Sequence, residues 1–247
     1  MIVHHGNCGE LEVKAKVEFG VWNCLSSVEL SFTLGEIFDF IYIDLEHGFR
    51  SVENLTLTVK FYNLQKINFA VRIRSYNDPI IQTLLDIGVR NFILPQLRLL
   101  SELDEFKKRV LFPPDGVRGL HPRSKFNSNT PLVDSISITI LVETIESIEL
   151  LEAFAEDELV NGFYFGAFDL SMELQIIDGP FSSNLNPYLS RVSDVCKKSG
   201  KKFQAMLPVV NDVDFIERYS IDRALVGIDT VLIQECYLSI MRNLRGK

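Results

Sequence analysis

At four places in this chain an apolar run ends abruptly in an ionisable residue. Ile41-Tyr42-Ile43 leads into Asp44-Leu45-Glu46-His47-Gly48, Val71 into Arg72, Leu141-Val142 into Glu143, and the Phe165 to Phe168 stretch into Asp169. Such junctions describe buried parallel strands whose carboxyl ends open into a polar site. Carboxylates at that position are expensive to bury unless a metal or a cation compensates them. Two of them plus water suit a hard divalent cation, Mg²⁺ or Mn²⁺ rather than zinc, because neither cysteines nor a histidine pair is at hand. Arg72 or Arg74 suits a substrate carboxylate or oxo group, and His47 suits proton transfer near neutral pH. Each residue also has a bland reading. Glu143 could cap the helix that follows it, Asp169 the turn that contains Ser171, and His47 could be a surface turn residue. All of them being bland together is the weaker account.

The elements that must position these residues alternate regularly. Strands are expected at Phe19 to Cys24, Phe38 to Ile43, Asn68 to Ile73, Phe92 to Leu94, Ile136 to Val142, Gly162 to Phe165, Lys202 to Met206 and Arg223 to Val226. Between them the spacing predicts helices over Val28 to Leu34 (capped by Ser26-Ser27), Val52 to Asn63 (capped by Ser51), Ile80 to Ile87, Leu100 to Val110, Ser147 to Ala155, Tyr188 to Lys198 and Val213 to Tyr219, with a last amphipathic helix over Val231 to Asn243. Asn77-Asp78-Pro79 reads as a helix start and Gly88 as its end. Residues 1–16 read as a lead-in segment, and Phe112 to Asp134 as a long polar loop of the kind that usually carries function. Eight strand–helix pairs without a linker point to one (β/α)8 TIM barrel over residues 1–247, whose functional residues gather at the carboxyl ends of the strands.

Composition narrows the function classes. A net charge of -8 and a pI near 5.1 argue against nonspecific binding to nucleic acid or to anionic membranes. No apolar run approaches the roughly 20 residues that span a bilayer, and the N-terminus lacks the pattern of a signal peptide. Cys8, Cys24, Cys196 and Cys236 are scattered and read as free thiols in a reducing compartment, so the expected location is the cytoplasm. There is no GxGxxG behind the first strand and no GxxxxGK[ST], which leaves dinucleotide and nucleoside triphosphate chemistry unsupported.

A set of motifs in order carries a resemblance. Ile43-Asp44-Leu45-Glu46-His47, Val71-Arg72 with Asn77-Asp78-Pro79, Leu84-Leu85-Asp86-Ile87-Gly88, Pro113 to Gly119, Val142-Glu143-Thr144 and Phe165 to Ser171 resemble the HpcH/HpaI aldolases over roughly residues 17 to 245. These are class II pyruvate-dependent aldolases of 2-oxo-3-deoxy acids, related to the citrate lyase β subunit, on a phosphoenolpyruvate/pyruvate-type barrel. The resemblance implies that Glu143 and Asp169 hold the divalent metal and that Glu46 touches its water shell. The Ala167-Phe168-Asp169 turn would cradle the pyruvate carboxylate through backbone N–H groups. The strand-three arginine would stabilise the enolate, and His47, oriented by Asp86, would belong to the proton relay. The family motif has four residues' spacing from Arg to Asn, whereas here Arg72 to Asn77 is five and Arg74 to Asn77 is three; Arg72 is favoured. Two positions depart: Leu141 stands where the family often has Gln, and Gly-Ala-Phe-Asp replaces Gly-Pro-Ala-Asp.

The implied activity is reversible cleavage of a 2-oxo acid aldol to pyruvate and an aldehyde. The alternative is a synthase or lyase of the same superfamily acting on oxaloacetate, phosphoenolpyruvate or an acyl-CoA, for which Arg118, Arg123 and Lys125 would supply a basic patch. A non-catalytic binding barrel is the remaining reading. The last helix, with Val231, Leu232, Ile233, Leu238, Ile240, Met241 and Leu244, holds more apolar positions than one buried stripe needs. Together with the resemblance it predicts a homo-oligomer, a hexamer, with residues 231–247 at the interface.

Overall fold

The computed structural model describes residues 17–119, 136–209 and 212–245. Its strands are β1 (Glu18–Asn23), β2 (Phe40–Asp44), β3 (Asn68–Arg72), β4 (Asn91–Leu94), β5 (Ser137–Val142), β6 (Val160–Phe165), β7 (Lys202–Met206) and β8 (Arg223–Ile228). The helices are α1 (Val28–Ile37), α2 (Val52–Gln65), α3 (Ile81–Ile87), α4 (Leu100–Val110), α5 (Ile145–Glu149), α6 (Leu151–Ala155), α7 (Ala167–Glu173), α8 (Asn186–Ser199), α9 (Val213–Tyr219) and α10 (Asp229–Arg245). The strands pair in parallel in sequence order and β1 pairs with β8, so the sheet closes into a barrel. The expected (β/α)8 architecture is what the chain adopts.

Strand parity divides the core in two. Side chains alternate between the two faces of each strand. Val21, Ile41, Ile43, Phe69, Val71 and Phe92 face outward into the layer shared with the helices. Trp22, Phe40, Tyr42, Ala70, Ile93, Leu141, Tyr164 and Leu225 form a second buried cluster, the barrel interior. Gly20 makes room there, because a Cβ at that position would lie 2.3 Å from the Phe40 ring. Lower in the interior the Tyr42 hydroxyl donates to Gln204, and Gln204 Nε2 donates to Thr139 Oγ1 at 3.2 Å, so these buried polar groups are satisfied. Continuing the inward parity to the strand ends carries Asp44, Arg72 and Glu143 to the top of the barrel.

Local chemistry sets most boundaries. Ser27 and Ser51 cap α1 and α2, accepting from the Leu30 and Asn54 N–H groups at 3.1 and 3.2 Å, and Gly88 closes α3 at a φ of 108°. Four expectations are corrected. Asp78 accepts from Ile80 N in a turn, and α3 begins only at Ile81. The helix expected over Ser147 to Ala155 starts at Ile145 and divides at Leu150 into α5 and α6. Residues 167–173, read as a turn, form α7. Arg118 is buried with its guanidinium 4.5 Å over the Phe112 ring, so it is not a charge at the mouth of the barrel; Arg123, Lys125, Cys8 and the lead-in segment lie outside the described residues.

Helix α10 departs furthest from a barrel's outer layer. Of its 17 residues only Asp229 is buried. The Asp229 carboxylate accepts from Asn23 Nδ2 and from the Cys24 and Leu25 N–H groups at 2.7 to 3.1 Å, which anchors the start of the helix over the end of β1. No helix among the described residues is long and apolar enough to cross a membrane.

Candidate active site

At the carboxyl ends of the strands lies a cavity of about 400 Å³. Asp44, His47, Arg72, Glu143 and Asp169 line it together with Trp22, Cys24, Leu141, Tyr164 and the Phe165 to Phe168 turn. The remaining lining residues are Met206, Ile228 and Thr230.

Register builds one half of the site. Asp44 and Arg72 are direct cross-strand partners on β2 and β3, and inward parity turns both side chains toward the cavity. Arg72 Nε and Nη2 donate to the two Asp44 oxygens at 2.9 and 2.7 Å, and Nη1 lies 3.0 Å from Glu46 Oε2. The guanidinium is also held 4.6 Å over the Trp22 ring, and Trp22 Nε1 donates to the Tyr164 hydroxyl at 3.1 Å. Burial by itself would raise the Asp44 pKa; the hydrogen bonds and charge of Arg72 outweigh it and hold the carboxyl below its usual range. Asp44 further accepts from the Glu46 and His47 N–H groups and from the Cys24 thiol, so it shapes the turn as well as fixing Arg72. Burial and the Asp44 charge push the Cys24 thiol up to about 12, which removes it as a nucleophile.

Arg74 does not share this environment. Strand β3 ends at Arg72, and Arg74 lies beyond it, 60% exposed and 3.8 Å from Asp78. Only Arg72 lines the cavity.

The other half is built on β5, β6 and α7. Glu143 sits in the gap between β5 and α5, and Thr144 caps α5 by accepting from Ser147 N at 3.0 Å. Glu143 is therefore not a cap. It is 2% exposed and accepts at 2.7 Å from the N–H of Gln96, a non-glycine residue held at a φ of 53°. Gly166 brings the next strand close, since a Cβ there would lie 2.7 Å from Glu143 Cβ. Asp169 follows in the first turn of α7, whose N-cap position is Gly166, so Asp169 is not a cap either. Burial, and then the Asp169 charge, push the Glu143 carboxyl up to about 8. Glu46 is raised as well, by burial first, against the charges of Arg72 and His47.

No group of three metal-type side chains is assembled among the described residues. Two carboxylates that repel one another, with no cation dedicated to them among the described residues, nevertheless fit an ion such as Mg²⁺, which keeps several waters and takes one or two carboxylates. The N–H groups of Ala167, Phe168 and Asp169 have no intrahelical partner in the first turn of α7 and add positive potential beside them. Phe168 itself is 50% exposed at the rim and meets Phe181 edge-on at 5.8 Å.

His47 lines the mouth, its Nε2 4.0 Å from Glu46 Oε2. Asp86 does not join it within the described residues: it is exposed on α3 and accepts from Gln82 Nε2 at 3.0 Å. The groups sequence reasoning missed are Gln96, Trp22, Tyr164 and the Arg98–Glu173 pair. Arg98 donates to both Glu173 oxygens at 2.9 Å while Glu173 accepts from Ile145 N at 3.1 Å, tying α7 to the turn behind Glu143. At such exposure this pair is worth about 0.2–1 kcal/mol, so it aligns the two carboxylates more than it stabilises the fold.

Comparison with known proteins shows the family. The family model HpcH/HpaI aldolase/citrate lyase matches residues 25–235. A 5-keto-4-deoxy-D-glucarate aldolase of Escherichia coli O139:H28 (strain E24377A / ETEC) is 23% identical over 222 residues, 87% of each chain. The crystal structure of an HpcH/HpaI aldolase/citrate lyase family protein from Burkholderia cenocepacia J2315 superposes with a TM-score of 0.82 at 17% identity, covering 93% of this chain and 95% of that one. The citrate lyase β subunit of M. tuberculosis, complexed with oxaloacetate and magnesium, gives 0.57 at 15% identity, over 86% and 91%. The chain belongs to the HpcH/HpaI aldolase/citrate lyase family and is an enzyme of the lyase class.

Proposed function

We propose that the protein reversibly cleaves a 2-oxo acid aldol to pyruvate and an aldehyde in the cavity above β2, β3, β5 and β6. The observation that carries this reading is the buried Glu143 carboxyl set against Asp169, one guanidinium away from a histidine. Glu143 and Asp169 would hold a divalent ion, Mg²⁺ or Mn²⁺, which would supply Lewis-acid stabilisation of charge developing on the 2-oxo oxygen; the magnesium in the citrate lyase β subunit supports that choice. Arg72, fixed by Asp44 and Glu46, presents its remaining Nη hydrogens to the same oxygen. The free N–H groups at Ala167, Phe168 and Asp169 bind the substrate carboxylate. His47 moves protons between solvent and the reacting groups, the C4 hydroxyl in cleavage and C3 in pyruvate exchange, with Glu46 rather than Asp86 as the acid beside it in the chain. Barrel walls of Trp22, Leu141 and Tyr164 keep bulk water from the reacting carbons.

Exchange of the pyruvate methyl protons for deuterium, followed by NMR with Mg²⁺ present, tests the reading without an aldehyde. Wild-type protein should exchange them, and His47→Ala should do so roughly 10²- to 10⁴-fold more slowly. No exchange by the wild type with either Mg²⁺ or Mn²⁺ would sink the reading, and unchanged exchange in His47→Ala would give the proton to another group.

The functional unit we propose is a homo-oligomer, a hexamer, joined through α10. Val231, Tyr237, Ile240 and Leu244 of that helix are 47% to 76% exposed, more apolar surface than a monomer leaves uncovered. Light scattering should report a multiple of the 28.2 kDa chain, and a clean monomer at micromolar concentration would contradict it.

A further inference from the structure

Two tyrosines of the barrel interior, Tyr42 on β2 and Tyr164 on β6, use their hydroxyls differently. Tyr42 donates its hydrogen to the Gln204 side chain, so that bond closes within the chain. Tyr164 accepts instead: Trp22 Nε1 donates to its oxygen at 3.1 Å, and the two rings meet edge-on at 5.5 Å. The hydroxyl hydrogen of Tyr164 has no acceptor among the described residues. The residue is 5% exposed, and a buried hydroxyl whose hydrogen goes unused is costly and uncommon. Tyr164 and its cross-strand partner Leu141 both line the active-site cavity, so that hydrogen is available to a bound molecule.

Trp22 couples this hydroxyl to the arginine. Its ring carries the Arg72 guanidinium over one face at 4.6 Å and the Tyr164 oxygen at its N–H edge. Two hydrogen-bond donors, one charged and one neutral, are thus fixed against the same buried ring. Burial, the largest influence on the phenol, holds its pKa well above the ordinary value, while the charges of Arg72 and Glu143 both act on it. The group therefore stays protonated and remains a donor. Accepting from Trp22 also makes it a better one, because linked hydrogen bonds polarise each other.

We infer that Tyr164 is a catalytic residue, a second donor that hydrogen-bonds the 2-oxo oxygen of the substrate, beside Arg72, as that oxygen takes on enolate charge. The inference rests on the lyase reading above. The substrate carboxylate is served by the N–H groups of the first turn of α7, whereas the 2-oxo oxygen lies on the Arg72 side, where Trp22 holds both donors. The phenol gives up no proton at any stage; it supplies a dipole fixed in place before charge develops, which needs no reorganisation during the reaction.

Tyr164→Phe removes the hydroxyl and keeps the ring; Tyr42→Phe removes the other interior hydroxyl and is the matched control. In pyruvate methyl-proton exchange with Mg²⁺, Tyr164→Phe should lower kcat by roughly 10²-fold and move KM by no more than about twofold, the mark of a contact made in the transition state. Tyr42→Phe should change neither by more than about twofold. A second readout needs no turnover. Oxalate is a planar dianion shaped like the pyruvate enolate, and calorimetry with Mg²⁺ should show Tyr164→Phe weakening oxalate by roughly tenfold or more and pyruvate by about twofold or less. Unchanged exchange in Tyr164→Phe, a change confined to KM, or equal losses for oxalate and pyruvate overturns the inference. So does an equal loss in Tyr42→Phe, which would make the effect one of packing. No exchange by the wild type overturns the lyase reading itself.

Discussion

Asp44 at the end of β2 and Glu143 just past β5 are equally buried, 1% and 2% exposed, yet the molecule treats them in opposite ways. Asp44 has a cross-strand arginine hydrogen-bonded to both of its oxygens, and its pKa is lowered. Glu143 has one backbone N–H and a neighbouring carboxylate, and its pKa rises to about 8. The difference teaches how to separate a structural carboxylate from a ligand-binding one when both stand at strand ends. A charge compensated within the chain completes the scaffold, and a charge left uncompensated at the same depth is reserved for something the chain does not contain.

The contrast can be broken in three ways. The largest effect is expected from its uncompensated half: Glu143→Gln and Asp169→Asn should each lower metal-dependent turnover by roughly 10³-fold while the fold survives. Calorimetric titration with Mg²⁺ and Mn²⁺ checks the cause, because both variants should lose affinity; wild-type affinity in either would remove that residue from the metal site.

The compensated half should fail by a different route. Arg72→Met leaves Asp44 buried without its cationic partner and should destabilise the protein by roughly 3–5 kcal/mol, measured by denaturant unfolding. Arg72→Lys should keep more stability but lose turnover by roughly 10²-fold, because an ammonium cannot reproduce the planar pairing with Asp44 and Glu46. Arg74→Lys, in an exposed turn, should stay within about twofold. A larger loss in Arg74→Lys than in Arg72→Lys would reverse the assignment.

The smallest effect sharpens the contrast through pH. In metal-free protein the raised Glu143 pKa means that the folded state binds the proton more tightly than the unfolded state. Its contribution to stability is fully present below about 4.5 and is lost as pH rises through about 8. Glu143→Gln should therefore match the wild type below pH 4.5 and exceed it in stability above pH 8, as measured by denaturant unfolding. Asp44 has the opposite sign: its contribution is present above 3.8 and is lost as pH falls through its lowered folded value. Added Mg²⁺ should restore stability to the wild type at pH 8 and leave Glu143→Gln unchanged.

Much of this was legible in the chain. Apolar runs, serine caps and glycine stops are local signals, and β7 and α9 begin and end where their residues predict. The ionisable residues at four strand ends were visible because a buried strand cannot end in charge without a reason. Local signals fail where a partner far along the chain decides. Ile145 and Ser147 both suit a helix, and only Thr144, pinned by Leu97 O, selects the earlier start. The Ala167 to Glu173 helix was hidden behind a glycine and a phenylalanine that read as a turn.

The sequence alone therefore determined the alternating barrel and the residue types at its catalytic end, since both are written in periods of two and 3.6 and in contiguous motifs. Tertiary structure decided which arginine faces the cavity, because β3 stops at Arg72 and its register sets that residue opposite Asp44. It decided that Asp44 is a counterion and Glu143 is not, because compensation depends on which strand lies alongside. Within the chain it set Glu46 beside His47 and Asp86 on the exposed face of α3, and it left α10 standing off the barrel. Each of these turns on a distance between residues far apart in the chain, and spacing along a sequence carries no such distance.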